Sequence, residues 1–174
     1  ITEQLASQRC EVAGEDYLLL GSTDVDVLVD RIVAARPDMI LNTINGDSNV
    51  AFFRALRARG LTPQKVPTMS FSIAEDELRS LPAREMAGDY AAWNYFQSVD
   101  TPENREFVAR FRKKYGAARV TDDPIEAAYF GVHLWAQAVR AAASADVSAI
   151  RKAIKKQSWN APGGTVYVDP ESNH

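Results

Sequence analysis

The apolar positions along this chain switch repeatedly between two periods. Val25, Leu28, Val29, Ile32 and Ala35 recur at helical spacing behind Ser22 or Thr23 as a cap, and Pro37 ends the pattern. Residues 38–43 then form a short apolar strand containing Ile40 and Leu41. A second helix starts near Asp47 or Ser48, buries Phe52, Ala55 and Leu56, and stops at Gly60, a residue free to take the left-handed terminating conformation. Residues 65–71 read as the next strand, and Ser72 with Glu75 has the spacing of a capping box, so a helix is expected directly after it. An aromatic-rich strand over 86–96 precedes a helix capped by Thr101 with Pro102 in its first turn and Phe107, Val108, Phe111 and Tyr115 on its buried stripe. Ahead of all these, residues 2–9 read as the tail of a helix and 11–20 as a strand carrying Val12, Tyr17, Leu18, Leu19 and Leu20. Strands alternating with helices predict an α/β fold, a parallel sheet with helices on both faces.

The pattern changes after Gly116. Residues 124–157 predict two consecutive helices, opened by Asp123-Pro124 and by Asp146, with no strand between them. Gly163-Gly164 then suits a hairpin joining 159–161 to 165–168. A boundary is expected over 116–123.

Composition narrows the class of function. The chain has 174 residues, 46% of them hydrophobic and 25% charged, the balance of a globular protein. A net charge of −3 and an isoelectric point near 5.4 supply no footprint for phosphate backbones, and the basic run 110–114 is a solvated helix face, so no nucleic-acid partner is expected. One cysteine, Cys10, forbids an internal disulfide and a cysteine-cluster metal site. No run approaches the roughly 20 apolar residues of a membrane span, and Ile1 does not look like a natural start.

Catalytic signatures are missing: there is no HExxH, Walker-type loop, G-x-S-x-G or GxGxxG. The two histidines are His133, inside a predicted helix, and His174 at the end. Glu75, Asp76 and Glu77 cluster at a helix start, where the helix dipole favours negative charge without any catalytic role. No catalytic residue, metal site or cofactor is therefore expected, and the chain is read as a non-enzyme.

What remains is geometry. Ligands of open parallel sheets collect outside the carboxyl ends of the strands. Here those ends offer Asn45, Gly46 and Ser48, then Ser70, Phe71 and Ser72, then Trp93 and Tyr95. Hydroxyls, a carboxamide, backbone N–H groups and aromatic faces suit a small polar, largely uncharged solute. The competing readings are that the serines only cap helices and that the aromatic residues are core.

At these residues the sequence resembles a known family. The run 42–56, containing Asn42, Asn45-Gly46-Asp47-Ser48 and Phe52-Phe53, is similar to the lobe-two signature of the urea and short-chain-amide binding proteins within the branched-chain amino-acid receptors. Residues 70–78 and 91–102 resemble further parts of that lobe, 122–129 its return helix, and 160–166 its late hairpin. The similarity is collinear over essentially the whole chain. It implies a type I periplasmic-binding-protein lobe, incomplete, in a solute receptor that closes two lobes on its ligand and serves the membrane permease of an ABC importer. By analogy, 1–116 is lobe two without its first strand, and 117–174 is a return segment and hairpin belonging to lobe one. The implied solute is urea, a short-chain amide or a branched-chain amino acid, and the implied location is the periplasm. The alternative is a cytoplasmic amide-sensing regulator of the same fold. A sheet lacking a central strand would leave unpaired backbone groups, so a homo-oligomer of the fragment is a further expectation.

Overall fold

The computed structural model describes residues 1–172 and 174, which pack into two compact units, Ile1–Trp93 and Asn94–His174. The first unit opens with a short helix, α1 (Thr2–Ser7), and holds helix α2 (Asp26–Ala35), strand β1 (Ile40–Asn42), helix α3 (Ser48–Ala58), strand β2 (Thr68–Ser70), the one-turn helix α4 (Glu75–Leu78), a 3-10 turn (Ala83–Met86) and strand β3 (Tyr90–Ala91). The strands form one parallel sheet in the order β1-β2-β3, with Ile40 opposite Thr68 and Met69 opposite Tyr90. The predicted alternation of strand and helix and the parallel sheet are therefore present.

The core of this unit contains Val25, Val29, Phe52 and Leu56 of the set the helical spacing selected, with Phe53 added and Ala35 left exposed. Val25 and Val29 of the α2 region meet Phe52, Phe53 and Leu56 of α3, together with Ile40, Val66, Ile73, Leu81 and Met86. Phe52 and Phe53 pack edge to face with ring centroids 5.6 Å apart. Arg57 ties the far end of α3 to the sheet. Its guanidinium donates to Leu61 O (2.6 Å) and Glu85 O (3.1 Å) and pairs with Asp89, which also accepts from the Thr68 N–H at 2.9 Å. Both charged side chains are almost completely buried. Burial pushes the Asp89 carboxyl above the usual carboxylate range, against the Thr68 N–H and the Arg57 charge, which pull it down.

Several local expectations fail: α2 starts behind Val25 with no side-chain cap, not behind Ser22 or Thr23, and three further failures have a plain physical reason. The predicted strand over 11–20 forms no regular element; Leu19 and Leu20 are more than 80% exposed, although Leu18 packs partly against the core. An extended segment needs a neighbour for its backbone groups, and among the described residues β1 pairs only with β2. The aromatic strand predicted over 86–96 shrinks to Tyr90–Ala91. The helix expected at Ser72 begins two residues later than its capping-box spacing requires: Ala74 is the N-cap, its N–H bonded by Glu77 at 2.9 Å, and the Ser72 hydroxyl turns elsewhere.

The second unit comprises α5 (Pro102–Tyr115), α6 (Asp123–Ala142), α7 (Val147–Ala153) and the antiparallel hairpin β4 (Ser158–Ala161) and β5 (Gly164–Tyr167). Two of its helix starts, at Thr101 and Asp146, carry the expected caps, whereas α6 is capped by Asp122, one residue before the expected Asp123. The side chains of Thr101, Asp122 and Asp146 accept from Asn104 N, Ile125 N and Ala149 N respectively. The hairpin turn is gripped from two helices: the Thr101 hydroxyl donates to Pro162 O (2.7 Å) and the Glu126 carboxylate accepts from Gly163 N–H (3.1 Å). Burial holds Glu126 above the ordinary glutamate range, and nearby Asp123 pushes it the same way while the Gly163 N–H opposes both. His133 stacks on Trp159 at 4.4 Å between ring centroids, with Tyr129 edge-on to both, so the histidine is a half-buried packing residue.

Candidate functional site

The carboxyl ends of β1 and β2 are bound together by side chains rather than by helix caps. Asn42, the last residue of β1, donates through its Nδ2 to Asn49 Oδ1 (2.9 Å) and to Ser70 Oγ (3.1 Å), and its Oδ1 accepts from Ile44 N–H at 3.0 Å. Asn49, in the first turn of α3, donates to Ile44 O at 2.8 Å. The Ser72 hydroxyl donates to the same Ile44 carbonyl. Asn42, Asn49, Ser70 and Ser72 are all buried, yet every one of them has a partner, as buried polar groups require.

Beyond this knot the chain turns outward. Asn45 and Gly46 are exposed at the tip of the β1–α3 loop, and Gly46 takes φ +67°, the left-handed conformation that favours glycine. The space around a Cβ at Gly46 is open, so the residue is needed for its backbone conformation and not for close approach. Asp47 occupies the N-cap position of α3 but makes no side-chain cap bond, contrary to the expectation that it or Ser48 caps the helix. The Ser48 hydroxyl is buried without a hydrogen-bond partner. Phe71 presents its ring to solvent at 39% exposure while its N–H donates to Asn42 O at 3.1 Å.

The structure thus brings six of the eight expected site residues to one end of the sheet, in two roles. Asn45, Gly46 and Phe71 face outward, whereas Ser48, Ser70 and Ser72 lie beneath them. Trp93 follows the short strand β3 and is half-buried. Tyr95 lies in the second unit, 1% exposed, with its hydroxyl 2.7 Å from Asn104 Oδ1 and 2.8 Å from Thr121 Oγ1. Asn42 and Asn49 were not singled out from the sequence. Their signal was available: two carboxamides seven residues apart, one ending a strand and one opening a helix, have no apolar role there.

No segment of the tip carries a cation. Residues 43–47 and 71–74 contain one charged side chain, the exposed carboxylate of Asp47. Among the described residues no group of three or more His, Cys, Asp or Glu side chains is placed to hold a metal ion. Among the described residues no helix is long and apolar enough to cross a membrane. The arrangement offers a carboxamide, turn N–H groups and an aromatic face, which recognise a small solute by hydrogen bonding and stacking.

Comparison with known proteins decides the family. A family model described as a periplasmic binding protein domain matches residues 1–174. The chain belongs to that family. Its fold is the type I periplasmic-binding-protein fold. Leu/Ile/Val-binding protein homolog 6 of Brucella melitensis is 30% identical over 168 residues, which cover 94% of this chain and 43% of that protein. The solute-binding protein of an ABC transporter from Rhodopseudomonas palustris HaA2, solved in complex with p-hydroxybenzoic acid, superposes with a TM-score of 0.86 at 27% identity, covering 99% of this chain and 48% of that one. A protein named limonene hydroxylase, from Geobacillus stearothermophilus, is 34% identical over 88 residues, 51% of this chain and 16% of that protein. The periplasmic binding protein chain described here therefore spans less than half the length of these relatives.

Proposed function

We propose that this chain supplies one face of a two-lobed solute clamp serving an ABC importer in the periplasm, and that it catalyses no reaction. The observation that carries the reading is the outward-facing tip of Asn45, Gly46 and Phe71 at the carboxyl ends of a parallel sheet, set on a satisfied buried polar knot. Affinity in a clamp arises when closure buries the solute between two faces and expels water. Trp93, at the end of the neighbouring strand, extends the aromatic side of the face. Ser48, Ser70 and Ser72 support it, and Tyr95 frames its own unit.

The solute class follows from the charge of the tip. With no cation in its two loops, this face suits the neutral part of a solute: the amide of urea or a short-chain amide, the side chain of a branched-chain amino acid, or the ring of an aromatic acid. The relatives named for Leu/Ile/Val and for p-hydroxybenzoic acid support a range of that kind. The counter-charge for a carboxylate comes from groups outside this tip, whose one charged side chain is the carboxylate of Asp47. The exposed stripe on α6, where Val132 and Trp135 are 64% and 52% exposed, supports assigning residues 117–174 to packing against the other lobe.

A chemical-shift titration of the labelled chain with millimolar urea, acetamide, leucine and 4-hydroxybenzoate tests this. Shifts concentrated at Asn45, Gly46, Phe71 and Trp93 support the proposal. Shifts elsewhere, or none for all four probes, reject it. Release of ammonia from the amides above background would reject the non-enzyme part.

A further inference from the structure

The Asn45-Gly46 tip is held at both sides by groups that do not reach the surface. On one side, both backbone polar groups of Ile44 are taken by side chains: its N–H by Asn42 Oδ1, its carbonyl by Asn49 Nδ2 and by the Ser72 hydroxyl. On the other side, the Gly46 carbonyl accepts from Asn49 N–H at 3.1 Å and the Asp47 carbonyl from Val50 N–H at 3.0 Å. Asn49 therefore grips the tip twice, by its side chain before the turn and by its backbone after it. Asn42 fixes Asn49 in turn and joins both to Ser70 of the adjacent strand. Three elements, β1, α3 and β2, converge on a two-residue turn.

We propose that Asn42 and Asn49 are positioning residues for solute recognition: they preset the Asn45-Gly46 turn with its left-handed Gly46, so that affinity depends on two carboxamides that never touch the solute. This rests on the reading of the tip as part of a solute-binding face. Ordering a loop on binding weakens association, and a loop already ordered avoids that loss. Helix capping alone does not account for the arrangement, because the Asn49 side chain bonds the loop carbonyl rather than a free helix N–H, and Asn42 lies on the strand.

The test is Asn49→Asp in this chain. The carboxylate keeps an acceptor for Asn42 Nδ2 and removes the donor to Ile44 O. Backbone 15N order parameters of Asn45 and Gly46 are expected near 0.85 in the parent chain and below about 0.6 in the variant. The apparent Kd of whichever millimolar probe shifts the parent tip (urea, acetamide, leucine or 4-hydroxybenzoate) is expected to rise about tenfold or more, the effect of freeing one to two residues. Phe52→Leu serves as a stability control, lowering the melting temperature while leaving tip order and Kd unchanged. Ser72→Ala, which removes one of the two donors to Ile44 O, is the milder variant if Asn49→Asp does not fold, and is expected to loosen the tip partially. Unchanged tip order in the variant, equal loosening in Phe52→Leu, or a loosened tip with unchanged Kd overturns the inference. A parent tip that no probe shifts overturns the reading of the site instead, and the order parameters still decide whether Asn49 sets the turn.

Discussion

Replacing Tyr95 with Phe separates a framework tyrosine from a ligand contact. The substitution deletes one hydroxyl at a 1% exposed site and leaves the ring, edge-on to Phe107 at 6.4 Å, in place. That hydroxyl lies within hydrogen-bond distance of Asn104 Oδ1 and Thr121 Oγ1. A buried neutral hydrogen bond contributes about 0.5–1.5 kcal/mol net, and an acceptor left unpaired adds to the loss. Thr121 Oγ1 also lies 3.5 Å from Gln97 Oε1, so it retains a partner, whereas the Asn104 oxygen loses its bond to Tyr95. The expected cost is about 1–2 kcal/mol. For a chain of 174 residues that corresponds to a fall in melting temperature of roughly 2–8 °C. Asn104→Ala should cost more, about 3 kcal/mol, because it also strands the carbonyls of Gln97 and Val99, which Asn104 Nδ2 bonds at 2.8 and 2.6 Å. Thermal unfolding followed by near-ultraviolet circular dichroism measures both, and the double variant should be less damaging than the sum of the singles. A Tyr95→Phe chain that melts with the parent would refute the assignment of that hydroxyl to the frame.

Three further outcomes are expected. Glu126 is raised above its ordinary value by burial, so its contribution to stability is present below the unfolded glutamate range and is lost as pH rises through the raised folded value; Glu126→Gln should flatten melting temperature against pH in that window, and an unchanged profile would count against it. Arg57→Met leaves Asp89 buried without its cation and should destabilise the first unit by about 3–5 kcal/mol in denaturant titration, whereas a change under 1 kcal/mol would show the pair to be dispensable. Leu19→Ser with Leu20→Ser replaces two side chains more than 80% exposed and should raise solubility with little loss of stability, measured by light scattering and thermal melting; a large loss would place these residues in a core.

Local signals were the most legible part of the fold. Thr101 and Asp146 each announce a helix start by a side chain that can accept from the first turn, and each does so in the structure; the start of α6 was legible only to within a residue, since Asp122 caps it and the expected Asp123 is its first helical residue. The hairpin was legible because its turn and flanking strands are adjacent in sequence, although the turn falls on Pro162-Gly163 and not on Gly163-Gly164, since Gly164 pairs with Ala161. Residues 11–20 were misread because apolar content marks a segment that can be a strand, whereas forming one needs a partner whose backbone is elsewhere. Ser72 was misread for a related reason: a capping box and a tertiary bond to Ile44 O compete for one hydroxyl, and only the packed structure shows that the carbonyl 28 residues away takes it. Within the site, the residue types at the strand ends were legible, but their division was not. Exposure separates Asn45, Gly46 and Phe71 from the serines below, and exposure depends on how β1, β2 and α3 stack.

The claim that this chain is one face of a clamp is tested most directly by its affinity when alone. Titration calorimetry against urea, acetamide, leucine and 4-hydroxybenzoate should give dissociation constants no tighter than the millimolar range, because half of the enclosing surface is supplied elsewhere. Submicromolar binding of any of them by the 174-residue chain would contradict the account, since it would show a complete site within this chain.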